Sequence, residues 1–504
     1  MQRKEEKETG KNSKENLNND NTETEVQNVD EQNGSTEVER SDSNTHLKRM
    51  MDRNFIEYAS YVIKDRAIPE LDDGFKPVQR RIIWSLFRID DGRFHKVANV
   101  VGHTMQYHPH GDQSIYGALV VLANKEYFIE KQGNFGNIFT GDVASAARYI
   151  ECRLTPLAKE TLFNNDITVF TDSYDGRNKE PVALPAKIPS LLMLGHEGIA
   201  PGMTTRILPH NFGELLEAQI AILENSPFEI FPDFLQGGIM DVSDYKNGEG
   251  RIVLRAKIEI EGRRLIIREI PAFTTTESLI ASIESAVNKN KIKIASINDY
   301  TADKVEIELI PQRGYEPQKA LHALYAYTDC EISVSSSILV IKDNRPVMMT
   351  VSDVLKHYTE RLVEYLKKEL QIELGKLNEK FHEKTLAQIF IENRIYKRIE
   401  ECETYELIQA EVKKGLNKFK HMLKREINDE DIEKLLAIPI RRISLFDINK
   451  NKKDIDDIVM AIEETEKNLK RMKAYTIRFI KSLIAKYAKD YSRRTEILKF
   501  DKID

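Results

Sequence analysis

A chain of 504 residues, 41% hydrophobic and 31% charged, is too apolar to be disordered throughout and long enough for roughly three to four domains of ~150 residues. Its net charge of -6 resides in the first 46 residues, where 12 acidic groups meet 6 basic ones; the remainder carries 69 of each, so the acidic total does not exclude a basic face for nucleic acid. Three scattered cysteines, Cys152, Cys330 and Cys402, form neither a disulfide framework nor a metal-ligand spacing. No apolar run of ~18 residues and no apolar segment behind Met1 suggest a membrane span or signal peptide, and a reducing cytoplasm is the expected compartment.

Residues 1–46 have almost no large apolar groups, so burial cannot offset chain entropy and a disordered acidic arm is expected. Order should begin near Met50, with Phe55, Tyr58, Ala59, Tyr61, Val62 and Ile63 marking a first helix or arm. Asp73-Gly74 followed by Pro77 predicts a turn that enters a helix at its first position. Within residues 78–87, Val78, Ile82, Ile83, Leu86 and Phe87 share one apolar face. Lys76, Gln79 and Arg80 are expected to point elsewhere, at a helix start whose dipole favours anions, although a solvated polar face explains them as well. A second short helix at 96–102, after the turn Asp90-Asp91-Gly92, suggests helix-turn-helix. Tyr107-His108-Pro109-His110-Gly111-Asp112 fits a structural turn, phosphate contacts or a metal site.

The glycine-rich run Gln132-Gly133-Asn134-Phe135-Gly136-Asn137 precedes Ala146-Ala147-Arg148-Tyr149-Ile150-Glu151. A tyrosine oxygen is one of the few protein nucleophiles that can join covalently to phosphate. A guanidinium beside it can neutralise the charge that builds there. Taken alone the pair is weak evidence, because the chain has 19 tyrosines and most tyrosines pack with the hydroxyl at a wet edge.

Beyond it, residues 166–170 read as a strand and 172–178 as a loop, while the glycines and prolines of 188–211 predict tight loops with close backbone approach. Residues 251–260, 264–270 and 305–310 alternate as antiparallel strands, making an α+β module that runs to about Asp343. From about Val351 the pattern turns helical. Leu370, Leu374, Leu377 and Phe381 form a coiled-coil seam, and Ile455, Ile458, Ile462, Leu469, Met472 and Leu483 a return seam. Between them residues 435–446 form an apolar knob suited to a two-fold self-contact.

Read together, residues 66–86, 107–112, 132–153, 187–211 and the ending Arg493-Arg494-Thr495-Glu496-Ile497 resemble the A subunit of bacterial type IIA DNA topoisomerases, the DNA gyrase and topoisomerase IV family, over about 54–497. The resemblance implies an α+β multidomain fold: a disordered arm (1–46), a winged-helix breakage-reunion domain (47–155), a tower domain (156–345), and an antiparallel coiled coil ending in a dimer gate (346–504, knob about 430–450). It implies that Tyr149 is the nucleophile and Arg148 its transition-state partner, assisted by Arg66 and His110. Lys76, Arg80, Arg81, His108 and His110 would lie near DNA phosphates, and Ile207 would be the wedge that opens a base step. No metal ligand is expected in this chain: Asp429 and Asp431 read as helix caps, and no G-x-x-x-x-G-K-[ST] loop occurs. Mg²⁺ and ATP would therefore come with a separate B subunit in an A2B2 assembly, built on a homodimer of A subunits, acting on double-stranded DNA in the nucleoid, with no membrane involved. The family's C-terminal β-pinwheel does not follow Ile497, which favours relaxation and decatenation over gyrase-type supercoiling unless a wrapping domain is supplied separately. Gln113 and Gly117 replace the serine and acid that anchor quinolones in the family, so weak drug response is expected. Two other classes compete: a metal-dependent nuclease using His108, His110 and Asp112, and a non-catalytic coiled-coil protein that organises DNA.

Overall fold

Helix α1 (Glu39–Val62) begins inside the segment expected to be disordered, and its end widens into a π-helix at Ile63–Ala67. The computed structural model describes residues 39–302, 304–439 and 448–500, so the rest of the acidic arm lies outside the described residues. The chain divides into two units, residues 1–57 and 58–504. Most of α1 belongs to the first unit; its last residues and every later element belong to the second.

The predicted turn forms around Asp73, whose carboxylate accepts the Phe75 amide at 3.0 Å. Gly74 takes φ +71°, and a Cβ there would come within 2.3 Å of the Leu191 backbone, so glycine is required on two counts. Pro77 then starts α2 (Pro77–Arg88), with the Gln79 side chain capping the Lys76 amide. Ile82, Ile83 and Leu86 of α2 meet Val97, Val100 and Val101 of α3 (Val97–Thr104) and Ile115, Leu119 and Leu122 of α4 (Asp112–Ala123) in one core. Each such side chain contributes about 1.5–3 kcal/mol on burial. A small antiparallel sheet closes this core, with β3 (Glu151–Leu154) between β1 (His95–Lys96) and β2 (Ile129–Gln132).

After α5 (Pro156–Thr161) the expected strand at 166–170 is displaced. Residues 164–168 are a turn tied by Asn164, and strand β4 is Phe170–Asp172, paired with β5 (Lys179–Pro181). Helix α6 (Ser190–Leu194) leads into the hairpin β6 (His196–Ala200) and β7 (Met203–Ile207), which turns at Pro201-Gly202, and α7 (Phe212–Glu224) comes next. The alternating stretch 251–260 is two strands. Strand β9 (Arg251–Arg255) joins one four-stranded sheet and β10 (Lys257–Glu261) another. The buried Ala256 breaks the alternation between them. The first of these sheets uses β8 (Ile239–Asp241), β14 (Glu331–Ser335) and β17 (Glu496–Ile497). The second uses β11 (Arg264–Glu269), β12 (Ile294–Asp299) and β13 (Ile307–Pro311), packed on α8 (Thr276–Asn288) and α9 (Pro317–Tyr327) around a separate core. A further hairpin, β15 (Leu339–Lys342) and β16 (Arg345–Met348), precedes the long helices.

Helix α10 (Val351–Glu392) has 42 residues and so spans about 63 Å. Helices α11 (Tyr405–Asn417) and α12 (Asp429–Leu436) lie at its far end, and α13 (Ile448–Lys470) returns antiparallel along it, as the pairs Lys384–Asp454 and Gln388–Asn451 show. The return seam buries Ile458 and Ile462 but is not continuous: Arg471 leaves helical geometry (φ -126°, ψ 48°) before α14 (Met472–Tyr487), which buries Leu483 in the main core. Asn428, rather than Asp429, caps α12, and Asp431 completes the capping box. Of the expected knob, Leu435 joins a local core with Leu386, Ile389 and Phe390, while residues 440–447 lie outside the described set. The chain end is pinned to the body. Arg493 holds Glu214 through two bonds of 2.6 Å, and β17 pairs in parallel with β8. Among the described residues no helix is long and apolar enough to cross a membrane.

Candidate active site

Tyr149 ends the loop between β2 and β3, and the glycine-rich run explains why that loop holds one shape. Gly133 (φ +98°) packs on Ile150, and at Gly136 (φ +82°) a Cβ would come within 2.5 Å of the Asp142 carbonyl. Asn134 and Asn137 close side-chain turns onto the amides of Gly136 and Phe139, both at 2.8 Å. The first amides of α3, which have no partner inside their helix, complete the clamp: Val97 donates to the Ile150 carbonyl at 3.0 Å and Ala98 to that of Ala147 at 3.1 Å. Ile150 is buried in the core while Tyr149, one residue earlier, is 64% exposed. The Arg148 guanidinium lies 4.6 Å from the centre of the Tyr149 ring. The structure therefore offers a phenol to solvent on a fixed turn with a cation against it.

A second group of predicted residues gathers elsewhere. Arg66, at the end of the π-helix, lines an open cleft of about 770 Å³ with Tyr58, Lys76 and the hairpin residues Gly198 and Ile199. The hairpin and π-helix approach so closely that a Cβ on Gly198 would come within 2.1 Å of the Ala67 carbonyl. Among the described residues the Arg66 side chain has no hydrogen bond or ion pair, whereas the Lys76 ammonium donates to the Glu197 carbonyl at 2.7 Å. His110 is hydrogen-bonded to the Tyr61 hydroxyl, and its ring meets His108 edge-on at 4.7 Å. His108 is buried and takes a bond from Arg81 at 3.0 Å; Arg81 in turn grips Glu180 at 2.7 and 3.0 Å. Burial, then the Arg81 charge, then His110 push the His108 ring down to about 4, so it is neutral near physiological pH. Among the described residues no hydrogen bond, ion pair or ring contact joins this group to Tyr149.

Two expectations need correction. Arg80 does not point to solvent. It is 8% exposed and forms a two-bond ion pair with the fully buried Asp73 at 2.5 and 3.0 Å, because the α2 face it shares is covered by the 73–75 turn. Nor can Ile207 act as a wedge: it is 3% exposed and part of the main core. Ile199, beside the tip of the same hairpin, is 80% exposed. The signal for it was legible, an apolar side chain between Gly198 and Pro201-Gly202 in a turn. Tyr61 and Glu180 were missed because each acts through a partner distant in sequence. Among the described residues no group of three or more His, Cys, Asp or Glu side chains could hold a metal, so His108, His110 and Asp112 do not converge on an ion.

With this geometry in place, the family model for the A subunits of DNA gyrase/topoisomerase IV matches residues 66–483. The DNA topoisomerase 4 A subunit of Borreliella burgdorferi is 52% identical over 452 residues, covering 90% of this chain and 72% of the relative. The DNA gyrase A subunit of Lawsonia intracellularis is 35% identical over 68% of this chain and 46% of its own length. The DNA topoisomerase 4 A subunit of Bacillus subtilis is 31% identical over 88% and 58%. The chain thus spans about half the length of the latter two relatives.

Proposed function

This chain belongs to the family of DNA gyrase/topoisomerase IV A subunits, and from that membership we propose that it is the DNA breakage-reunion subunit of a type II topoisomerase, with Tyr149 as the nucleophile. The observation that carries the assignment of the residue is the exposed phenol fixed against the Arg148 guanidinium. The Tyr149 oxygen attacks a backbone phosphorus in line. Its proton passes to solvent, the bond from phosphorus to the 3′ oxygen breaks, and that oxygen leaves as a hydroxyl once protonated. One phosphodiester replaces another, so the 5′-phosphotyrosine link retains the energy needed for resealing. Arg148 neutralises the charge developing on the phosphate. Arg66 and His110 belong to the same chemistry. Since neither touches Tyr149 within one chain, a second copy of the chain, in the homodimer, is the source we assign for completing each site.

In this reading α2 to α4 with the small sheet form the winged-helix domain, residues 156–345 the tower, and α10 to α14 the coiled coil reaching the dimer gate. The domain boundaries stand at 47–155, 156–345 and 346–504. Ile199 replaces Ile207 as the wedge, and Lys76, Arg66, His108 and Arg81 remain phosphate-side groups. Mg²⁺ and ATP are assigned to the B subunit; the described residues of this chain present no carboxylate group fitted to a metal, and no step here is routed through one. The protein acts on nucleoid DNA in the cytoplasm, with relaxation and decatenation favoured over supercoiling.

The test mixes the chain with its B subunit, ATP, Mg²⁺ and linked DNA circles. Wild type should unlink circles and leave protein covalently joined to 5′ DNA ends, and Tyr149→Phe should lose both while still binding DNA. Cleavage that survives in Tyr149→Phe returns the nuclease reading. A wild type that binds DNA without ever forming an adduct returns the organising-protein reading.

A further inference from the structure

The loop that carries Tyr149 stands on two separate cores. At its base Phe135 is buried in the main core, the Asn124 side chain donates to the Phe135 carbonyl at 2.9 Å, and the Tyr116 hydroxyl donates to the Ser145 carbonyl at 2.8 Å. At its tip the half-buried Phe139 packs on the other core, between the sheet that holds β10 and β11 and the helices α8 and α9. Among the described residues every other side chain of that core comes from residues 256–330, so Phe139 reaches it from far upstream.

Two backbone features hold the tip where the ring enters. Thr276 is the first residue of α8, and its amide, which has no partner inside the helix, donates to the Phe139 carbonyl at 2.8 Å. Gly141 takes φ +89°, and a Cβ there would come within 3.1 Å of the side chain of Thr275, the cap of α8. Between base and tip the loop is braced across itself. The Asn137 amide donates to the Asp142 carbonyl at 3.1 Å, the Gly141 amide to the Asn137 carbonyl at 2.9 Å, and the Ser145 amide to the Asn134 carbonyl at 3.0 Å. A loop braced in this way has little slack, so a displacement of its tip is passed to its base. Ser145 runs directly into the turn that presents the nucleophile, where the Tyr149 amide donates to the Ala146 carbonyl at 2.9 Å.

We propose that Phe139 is a positioning residue for Tyr149. It ties the nucleophile's loop to the unit built on α8 and α9, so the setting of that unit against the main core decides where the phenol and Arg148 stand when the phosphate arrives. The inference rests on the breakage-reunion reading. A duplex lying across both units shifts one against the other, and the tie at Phe139 turns that shift into aim at the phosphorus. The bond-forming step is sensitive to such aim, since a misplacement of about 1 Å can cost about a hundredfold. DNA affinity comes instead from phosphate contacts made elsewhere. A ring that only filled the core between α8 and α9 would support stability and leave the chemical step unchanged.

Two substitutions cut the tie at different atoms. Phe139→Ala removes the ring. Thr276→Pro removes the amide donor, at a first helical position that proline suits, behind a Thr275 already extended at φ -121° and ψ 163°. Each full-length variant would be assembled with the B subunit and Mg²⁺. The rate of covalent adduct formation would be measured at saturating DNA, and DNA affinity by fluorescence anisotropy. Both variants should form adduct roughly tenfold more slowly with affinity unchanged. Phe139→Leu, which keeps an apolar filling, should recover most of the rate. Phe139→Ala combined with Thr276→Pro should be no slower than the worse single variant, because both cut one tie. A wild-type rate in variants whose circular dichroism matches wild type overturns the proposal, and so does a loss of affinity with the saturated rate intact. Should Phe139→Ala fail to fold, Thr276→Pro, which leaves the ring in place, decides the matter. Adduct missing from wild type would sink the breakage reading and this inference with it; adduct in wild type at a rate the variants share sinks the inference alone.

Discussion

Replacing Arg80 by alanine should destabilise the domain around α2 far more than it weakens DNA binding. Asp73 is fully buried, and its carboxylate accepts four bonds: two from Arg80 at 2.5 and 3.0 Å, one from the Phe75 amide at 3.0 Å and one from the Leu184 amide at 2.9 Å. Removing the guanidinium leaves that charge with two backbone donors and no counter-ion. Breaking a buried pair from one side costs about 3–5 kcal/mol, and the two surviving amides place this case near 3 kcal/mol. With a urea dependence of ~1–3 kcal/mol per molar, the midpoint should fall by roughly 1 M or more. The single tryptophan, Trp84, sits one turn further along α2 in the same core, so its fluorescence follows this region without interference from the rest of the chain. The double variant Arg80→Met with Asp73→Asn should recover part of the loss, because no charge is stranded and the amide oxygen can still accept from the backbone donors. A midpoint that stays within about 0.2 M of wild type, together with a DNA salt slope lowered by about 0.9, would refute the reasoning and make Arg80 a phosphate contact after all.

Ile199→Ala should leave stability within about 0.5 kcal/mol while reducing DNA bending measured by energy transfer between duplex ends; Ile207→Ala should cost about 2–5 kcal/mol in unfolding experiments. The reverse pattern would restore Ile207 as the wedge. Asp431 is buried, which opposes its charge, but bonds from Arg425, the Asn428 amide and His382 outweigh this and hold its carboxyl down at about 2 against an ordinary 3.8. A folded-state value below the unfolded one gives stability that is complete above about 3.8 and is lost as pH falls toward 2, roughly 2 kcal/mol in all. In acid unfolding followed by circular dichroism, the gap between wild type and Asp431→Asn should therefore close across that window, and a constant gap would contradict the pairing. Gln113 and Gly117 are exposed one turn apart on α4. Quinolones should trap cleaved DNA only weakly, and restoring serine at 113 with glutamate at 117 should sharpen the response. Ordinary potency in wild type would remove the basis for this expectation.

Sequence alone was enough to single out the Arg148-Tyr149 pair, the turn into α2 and the long antiparallel helices. These depend on local chemistry and short periodicity: a Gly-Phe-Lys-Pro turn, an Arg-Tyr pair behind glycines, apolar residues every three or four positions. Side-chain direction at an element's end depends instead on what covers it, and there the reading failed. Arg80 looked solvent-facing until the 73–75 turn folded over it, and Ile207 looked exposed until the core closed on its end of the hairpin. Only the tertiary structure could show that His110 is held by Tyr61, that Arg81 is steered by Glu180 and that the Thr276 amide finds the Phe139 carbonyl. Each of those facts joins residues tens to more than a hundred positions apart, and no periodicity in a chain encodes such a meeting; packing decides it, because a buried polar group must find its partner wherever the fold has placed one.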